Sequence, residues 1–138
     1  GFKYRDTFSK VVAFSPAADA YMLLAEADAP GFSKEQFCGI FGSKEKYYGS
    51  ECDMCAQWTR KDVDNIPELF LCCGKEDRAV YKAVEKFEAA LKQAGIVHVY
   101  KEGHGDHEFY YWEQRMDAAF SFLAGIEEGT KDKLLIPG

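Results

Sequence analysis

Glu68-Leu-Phe-Leu-Cys-Cys-Gly74 is the stretch that most restricts the fold. It is apolar from Leu69 to Cys73 and closed by glycine. A strand covered on both faces reads this way, and such strands belong to parallel sheets packed between helices. The segments after it agree. From Asp77 to Gly95 the apolar residues Ala79, Val80, Ala83, Val84, Phe87, Ala90, Leu91 and Ala94 trace the stripe of a surface helix, with Gly95 as its C-terminal stop. Ile96 to Gly103 alternates as a strand does, and Glu108 to Gly125 forms a second amphipathic helix. Strand, helix, strand, helix predicts a βαβ unit with parallel strands and a right-handed crossover.

Upstream, Lys10-Val-Val-Ala-Phe-Ser-Pro-Ala17 is a β-branched run stopped by Ser-Pro, hence a strand and then a loop. Ser33 and Gln36 stand at capping-box spacing and predict a short helix reaching Gly42. Tyr47 to Asn65 is read as partly helical, with a polar turn near Asp62 to Asn65. Residues 126 to 138 read as a polar tail. The expected class is α/β, with about three mostly parallel strands and flanking helices in one domain, residues 1–138.

Net charge is −6 with scattered basic residues, which argues against a nucleic-acid or anionic-membrane partner. No apolar run approaches the ~20 residues of a membrane span. The first residues are polar and charged, unlike a signal peptide, and position 1 is not Met, so a fragment or processed chain is expected. Five cysteines, two of them adjacent in an apolar run, do not suggest a disulfide framework. They are read as reduced thiols, and the expected location is cytoplasmic.

Two constellations could carry chemistry. Asp77 follows the glycine that ends one predicted strand, and His107 follows Gly103 at the end of the next. Adjacent parallel strands would bring both loops to one sheet edge, where α/β folds place their reactive groups. A carboxylate can fix the tautomer of a histidine and leave its other nitrogen as general base. Equally, Asp77 could only cap the helix beginning near Arg78, with His107 a polar loop residue. Asp106 is adjacent to His107 and poorly placed to orient its ring, and Glu76 should point elsewhere. The second set is Cys52, Cys55, His104 and His107, nominal zinc ligands. The predicted βαβ crossover between Cys55 and His104 separates them as no compact zinc finger does. No metal and no cofactor is expected. His98, inside a strand, is read as a packed histidine without a chemical role, and Cys72 and Cys73 as inert packing.

Three segments resemble the esterase D-like branch of the α/β-hydrolases, which includes short-chain acyl esterases, S-formylglutathione hydrolases, and acetyl-xylan and feruloyl esterases. Tyr4-Arg-Asp-Thr-Phe-Ser-Lys-Val-Val-Ala-Phe-Ser-Pro-Ala17 is similar to the segment after the nucleophile helix. Leu69-Phe-Leu-Cys-Cys-Gly-Lys-Glu-Asp-Arg-Ala-Val80 resembles the strand and loop of the triad acid. Gly103-His-Gly-Asp-His-Glu-Phe-Tyr-Tyr-Trp112 and the helix after it resemble the Gly-x-His-x-Trp-x-x-Trp segment of the triad histidine. The likeness covers about residues 2 to 123 and implies a C-terminal half of that fold, Asp77 as triad acid and His107 as triad base. Phe109 stands where the family has Trp, and Trp112 fills the second Trp position.

The resemblance also implies a serine nucleophile, and here the chain departs from it. No G-x-S-x-G occurs. Ser15 ends a strand within Phe-Ser-Pro, and its matching position in the family is structural. The family's serine and both oxyanion donors lie upstream of the matched region, so the nucleophile-bearing half is expected to be absent. A general base alone supplies only ~10² to 10⁴ of rate. The chain by itself is therefore expected to be a poor esterase or none. The complete protein would be a serine esterase for small-molecule or acylated-sugar esters. A non-catalytic α/β binding or assembly domain is the alternative. Residues 19 to 66 are expected to form a cap. Phe109 and Trp112 are candidates for the substrate pocket, as are Phe37, Phe41, Tyr47, Tyr48 and Trp58, though core packing explains the last five equally well. The strand near Val11 to Ser15 would have a bare edge, which predicts a homo-oligomer or pairing with the missing half.

Overall fold

The computed structural model describes residues 1–25, 33–58 and 65–128. Its strands are β1 (Lys10–Phe14), β2 (Glu68–Gly74) and β3 (His98–Gly103), and its helices are α1 (Met22–Ala25), α2 (Lys34–Phe41), α3 (Lys44–Tyr47), α4 (Tyr81–Gln93) and α5 (Phe109–Ala124). Single 3₁₀ turns occur at Phe2–Tyr4 and Ala56–Trp58. The sheet order is β1-β2-β3 and both pairings are parallel. β2 is thus the central strand, which is why its sequence is apolar on both faces.

Alternation along β2 sorts the core into two layers. Leu69 and Leu71 face Phe87 and Leu91 of α4, joined by Val11, Ala13 and Tyr100. Phe70 and Cys72 face Tyr111, Ala118 and Ala119 of α5, joined by Val12, Phe14 and Val99. Each fully buried Leu or Phe contributes about 1.5–3 kcal/mol of transfer free energy. β1 pairs with β2 along one edge, and its residues are half-buried throughout. Among the described residues, no strand pairs with its outer edge.

The capping box at Ser33 is formed in full: Gln36 N–H donates to Ser33 Oγ at 3.2 Å, and Ser33 N–H donates to Gln36 Oε1 at 2.7 Å. The predicted helix from Asp77 starts later, at Tyr81, because Asp77 to Val80 make a turn instead. β3 begins at His98 rather than Ile96, whose N–H donates to the Leu91 carbonyl and closes α4.

Asp19, buried to 1% exposure, ties the segment after β1 to the rest. It accepts from the backbone N–H groups of Tyr21 and Met22 and from the Tyr48 hydroxyl, and it pairs with Lys86 of α4. Burial pulls the Lys86 ammonium down, but Asp19 outweighs it and the net shift is upward. Tyr21, Phe37, Phe41, Tyr47 and Tyr48 form an aromatic cluster above this pair, with ring centroids 5.0–5.8 Å apart. No helix among the described residues is long and apolar enough to cross a membrane. The expected turn at Asp62 to Asn65 falls mostly outside the described residues, and so do positions 129 to 138 of the expected tail.

Candidate active site

Gly74 of β2 and Gly103 of β3 are register partners, so the loops that follow leave the sheet side by side at one edge. They are stitched together. Lys75 N–H donates to the Gly103 carbonyl at 2.9 Å and Glu76 N–H to the Gly105 carbonyl at 3.1 Å. Gly105 N–H donates back to Glu76 Oε2 at 2.6 Å. Such close approach needs glycine. A Cβ on Gly74 would collide with the Gly105 carbonyl, and one on Gly105, at φ +145°, would enter the Tyr111 ring. Tyr111 then fixes α5 against the strand ends, its hydroxyl donating to the Cys73 carbonyl at 2.7 Å.

This frame brings Asp77 and His107 together. His107 Nδ1 lies 2.9 Å from Asp77 Oδ2. A carboxylate only accepts, so Nδ1 carries a proton, and in the neutral ring Nε2 is then the nitrogen with the lone pair. The other oxygen, Oδ1, accepts the Val80 N–H at 3.3 Å. Asp77 therefore holds the turn before α4 and the His107 ring at once, although α4 itself starts only at Tyr81 and Asp77 is not its cap. Asp77 is fully buried, while the His107 side chain is 45% exposed.

The neighbours behave as the spacing implied. Glu76 binds His104 Nδ1 at 2.9 Å and stays away from His107. The Gly105 N–H, and then His104, hold the Glu76 carboxyl below its ordinary range. Asp106 takes the backbone N–H of His107 rather than its ring. His98 donates from Nδ1 to the Ile96 carbonyl at 2.7 Å and faces Glu88, far from this edge. The four nominal zinc donors are not gathered: among the described residues, no group of three or more His, Cys, Asp or Glu side chains could hold a metal. All five cysteines are unpaired.

The pocket candidates divide. Trp112 stands edge-on to His107, centroids 5.0 Å apart at 85°. Phe109 is exposed at the start of α5. Phe37 and Tyr47 are sealed inside the aromatic cluster at 1% and 2% exposure, so they are core rather than lining. The Trp58 side chain lies outside those described.

Sequence reasoning missed three contributors. Glu76 was correctly excluded as the orienter, but its part in tying the loops was not seen. Tyr111 was hidden in an aromatic run whose members all suit a helix–sheet contact. Ser15 sits at φ 43° and 5% exposure, with Oγ accepting from Trp112 Nε1–H at 3.1 Å.

No family model matches the chain. An acetyl esterase of Caldicellulosiruptor saccharolyticus is 26% identical over a 136-residue alignment that covers 93% of this chain and 50% of that protein. Among solved structures, the substrate-bound fluorophosphonate-binding serine hydrolase F of Staphylococcus aureus superposes with a TM-score of 0.70 at 28% identity, covering 88% of this chain and 47% of that one. The chain carries the C-terminal part of an esterase-type α/β-hydrolase fold. A ferulic acid esterase has the same fold, with a TM-score of 0.57 at 20% identity over 92% of this chain and 45% of its own. The chain spans about half the length of these esterase-type proteins.

Proposed function

We propose that this chain supplies the acid and the base of a serine carboxylic-ester hydrolase. The observation that carries the reading is the 2.9 Å contact between His107 Nδ1 and the buried Asp77 carboxylate at the carboxyl edge of parallel strands. The 26% identity to an acetyl esterase and the 28% identity to a serine hydrolase support it. So does the sequence around His107.

The nucleophilic serine and the oxyanion donors come from outside these 138 residues, which contain no G-x-S-x-G. His107 Nε2 takes the serine proton as the hydroxyl attacks the ester carbonyl, then returns it to the departing alcohol. Asp77 holds the imidazole in the required tautomer and stabilises it while charged. The substrate is a small-molecule or acylated-sugar ester with a short acyl group. The segment from 19 to 66 shapes the entrance to the pocket. The outer edge of β1 pairs with a strand of the complementary segment or, without it, with a second copy.

The test is co-expression with a complementary segment that carries a nucleophile elbow, followed by a short-chain p-nitrophenyl ester assay. Activity should need both pieces and fall by about 10²–10⁴ in His107→Ala and in Asp77→Asn. Activity unaffected by either change sinks the reading and leaves a binding or assembly domain. Sedimentation of the chain alone at concentrations on the order of tens of micromolar should show dimers or larger species, since a bare strand edge is a template for pairing, and a clean monomer would remove the pairing claim.

A further inference from the structure

Asp77 fixes one atom of the His107 ring, and one hydrogen bond leaves the ring plane free to rotate about it. A second restraint is present. The indole of Trp112 stands perpendicular to the imidazole at 5.0 Å. The indole is itself anchored, because its Nε1–H donates to Ser15 Oγ at 3.1 Å. Ser15 in turn adopts φ 43°, a left-handed conformation that serine seldom takes, at the end of β1. It is held there by its N–H, which donates to the Cys72 carbonyl at 2.8 Å and so extends the β1–β2 ladder past the last strand residue. A strained residue that persists because its surroundings demand it points to a role for its side chain. On the neighbouring strand, Cys73 Sγ lies 4.0 Å from Asp77 Oδ2.

The geometry points to Ser15 and Trp112 as positioning residues that set the plane of the His107 imidazole, with Ser15 as the anchor. This rests on the reading of His107 as the general base. Among the described residues the indole is the aromatic ring packed against that imidazole. Its orientation is fixed from β1, the strand farthest from His107 in the sheet. The device therefore couples all three strand ends.

The test reads the imidazole itself and needs no esterase activity, so it can fail independently of the proposed reaction. Long-range ¹H–¹⁵N spectra of the chain report the His107 tautomer, and the ring-proton shifts report the perpendicular indole. Ser15→Gly keeps the left-handed backbone without strain and removes the hydroxymethyl group that anchors the indole. It should cut the ratio of the Nδ1–H to the Nε2–H tautomer roughly tenfold, the factor one hydrogen bond carries. It should also move the ring protons toward free-imidazole positions. Trp112→Phe should lower the tautomer ratio comparably, and Ser15→Gly should add nothing in the Trp112→Phe background. An unchanged tautomer and unchanged ring protons in Ser15→Gly overturn the inference. So does a Ser15→Gly effect that persists undiminished without the indole N–H. Thermal unfolding separates these outcomes from loss of fold. Should Ser15→Gly fail to fold, Trp112→Phe decides by the same tautomer readout.

Discussion

The two sides of the sheet are built differently. On the β2–β3 side, two glycine-ended strands pair through to their last residues, and their loops exchange backbone and side-chain hydrogen bonds around Asp77 and His107. On the β1 side the strand is short, half-buried and paired along one edge among the described residues. The first side is finished, with every polar group of the buried acid engaged. The second stops where a neighbour would begin. Asp77 and His107 meet through the loops after β2 and β3, and the Trp112 indole against His107 is tied back to Ser15 at the end of β1.

Substitutions can sharpen that contrast. The largest effect should come from Gly74→Val, whose side chain would push into the Gly105 backbone. With no flexible atom to give way, the two loops must separate. We expect a loss of about 3 kcal/mol or more, read as a lower urea midpoint with the Nδ1–H tautomer of His107 lost. Gly74→Val with unchanged stability would mean the loops are not locked as described. Next is Tyr111→Phe, which removes the donor to the Cys73 carbonyl. Leaving that buried acceptor short of a partner should cost about 1–3 kcal/mol.

Alkaline pH should loosen the finished side third. Burial pushes the Cys72 and Cys73 thiols up to about 12, with the charge of Asp77 adding to the shift of Cys73, and burial pushes Cys55 up to about 11. The unfolded chain loses these protons near pH 9, before the folded chain does. Stability is therefore fully present below about pH 9 and is lost as pH rises toward 11 and 12. The slope should reach at most ~1.4 kcal/mol per pH unit for each thiol. Urea titrations at successive pH values would show it, and a flat profile to pH 11 would contradict it. Correspondingly, a maleimide at neutral pH should label exposed Cys38 and Cys52 and spare Cys72 and Cys73. The smallest effect is expected at Gly39, in α2 with open space around it. Gly39→Ala should stabilise slightly, by roughly 0.5–1 kcal/mol, through helix propensity alone.

What could be read in the sequence follows the same division. β2, α4, β3 and α5 are long enough for period and punctuation to show, and a βαβ order dictates that Asp77 and His107 meet. The short elements were invisible. α1 and α3 are single turns held by Asp19 and by Ser43, whose Oγ accepts the Lys46 N–H at 3.4 Å, and a single turn has no period to detect. The start of α4 was misplaced because Asp77 looked like its cap, while the structure commits that carboxylate to a turn and a histidine. Ser15 looked like the first half of a Ser-Pro loop signal. Nothing in a serine announces a positive φ, and its bond to Trp112 spans most of the chain, a distance no local pattern reaches. The aromatic residues of α2 and α3 could not be divided into core and lining by composition, since both roles select the same side chains.

The central claim is that Asp77 and His107 are a prepared acid–base pair waiting for a serine that this chain does not hold. Intact-mass spectrometry after treatment with a fluorophosphonate tests it most directly, on the chain alone and on the chain joined by its complementary segment. The account predicts no adduct on the 15.6 kDa chain, and one adduct on the complementary segment that is lost in His107→Ala. A single adduct on this chain that His107→Ala abolishes would show an activated serine within it and contradict the account.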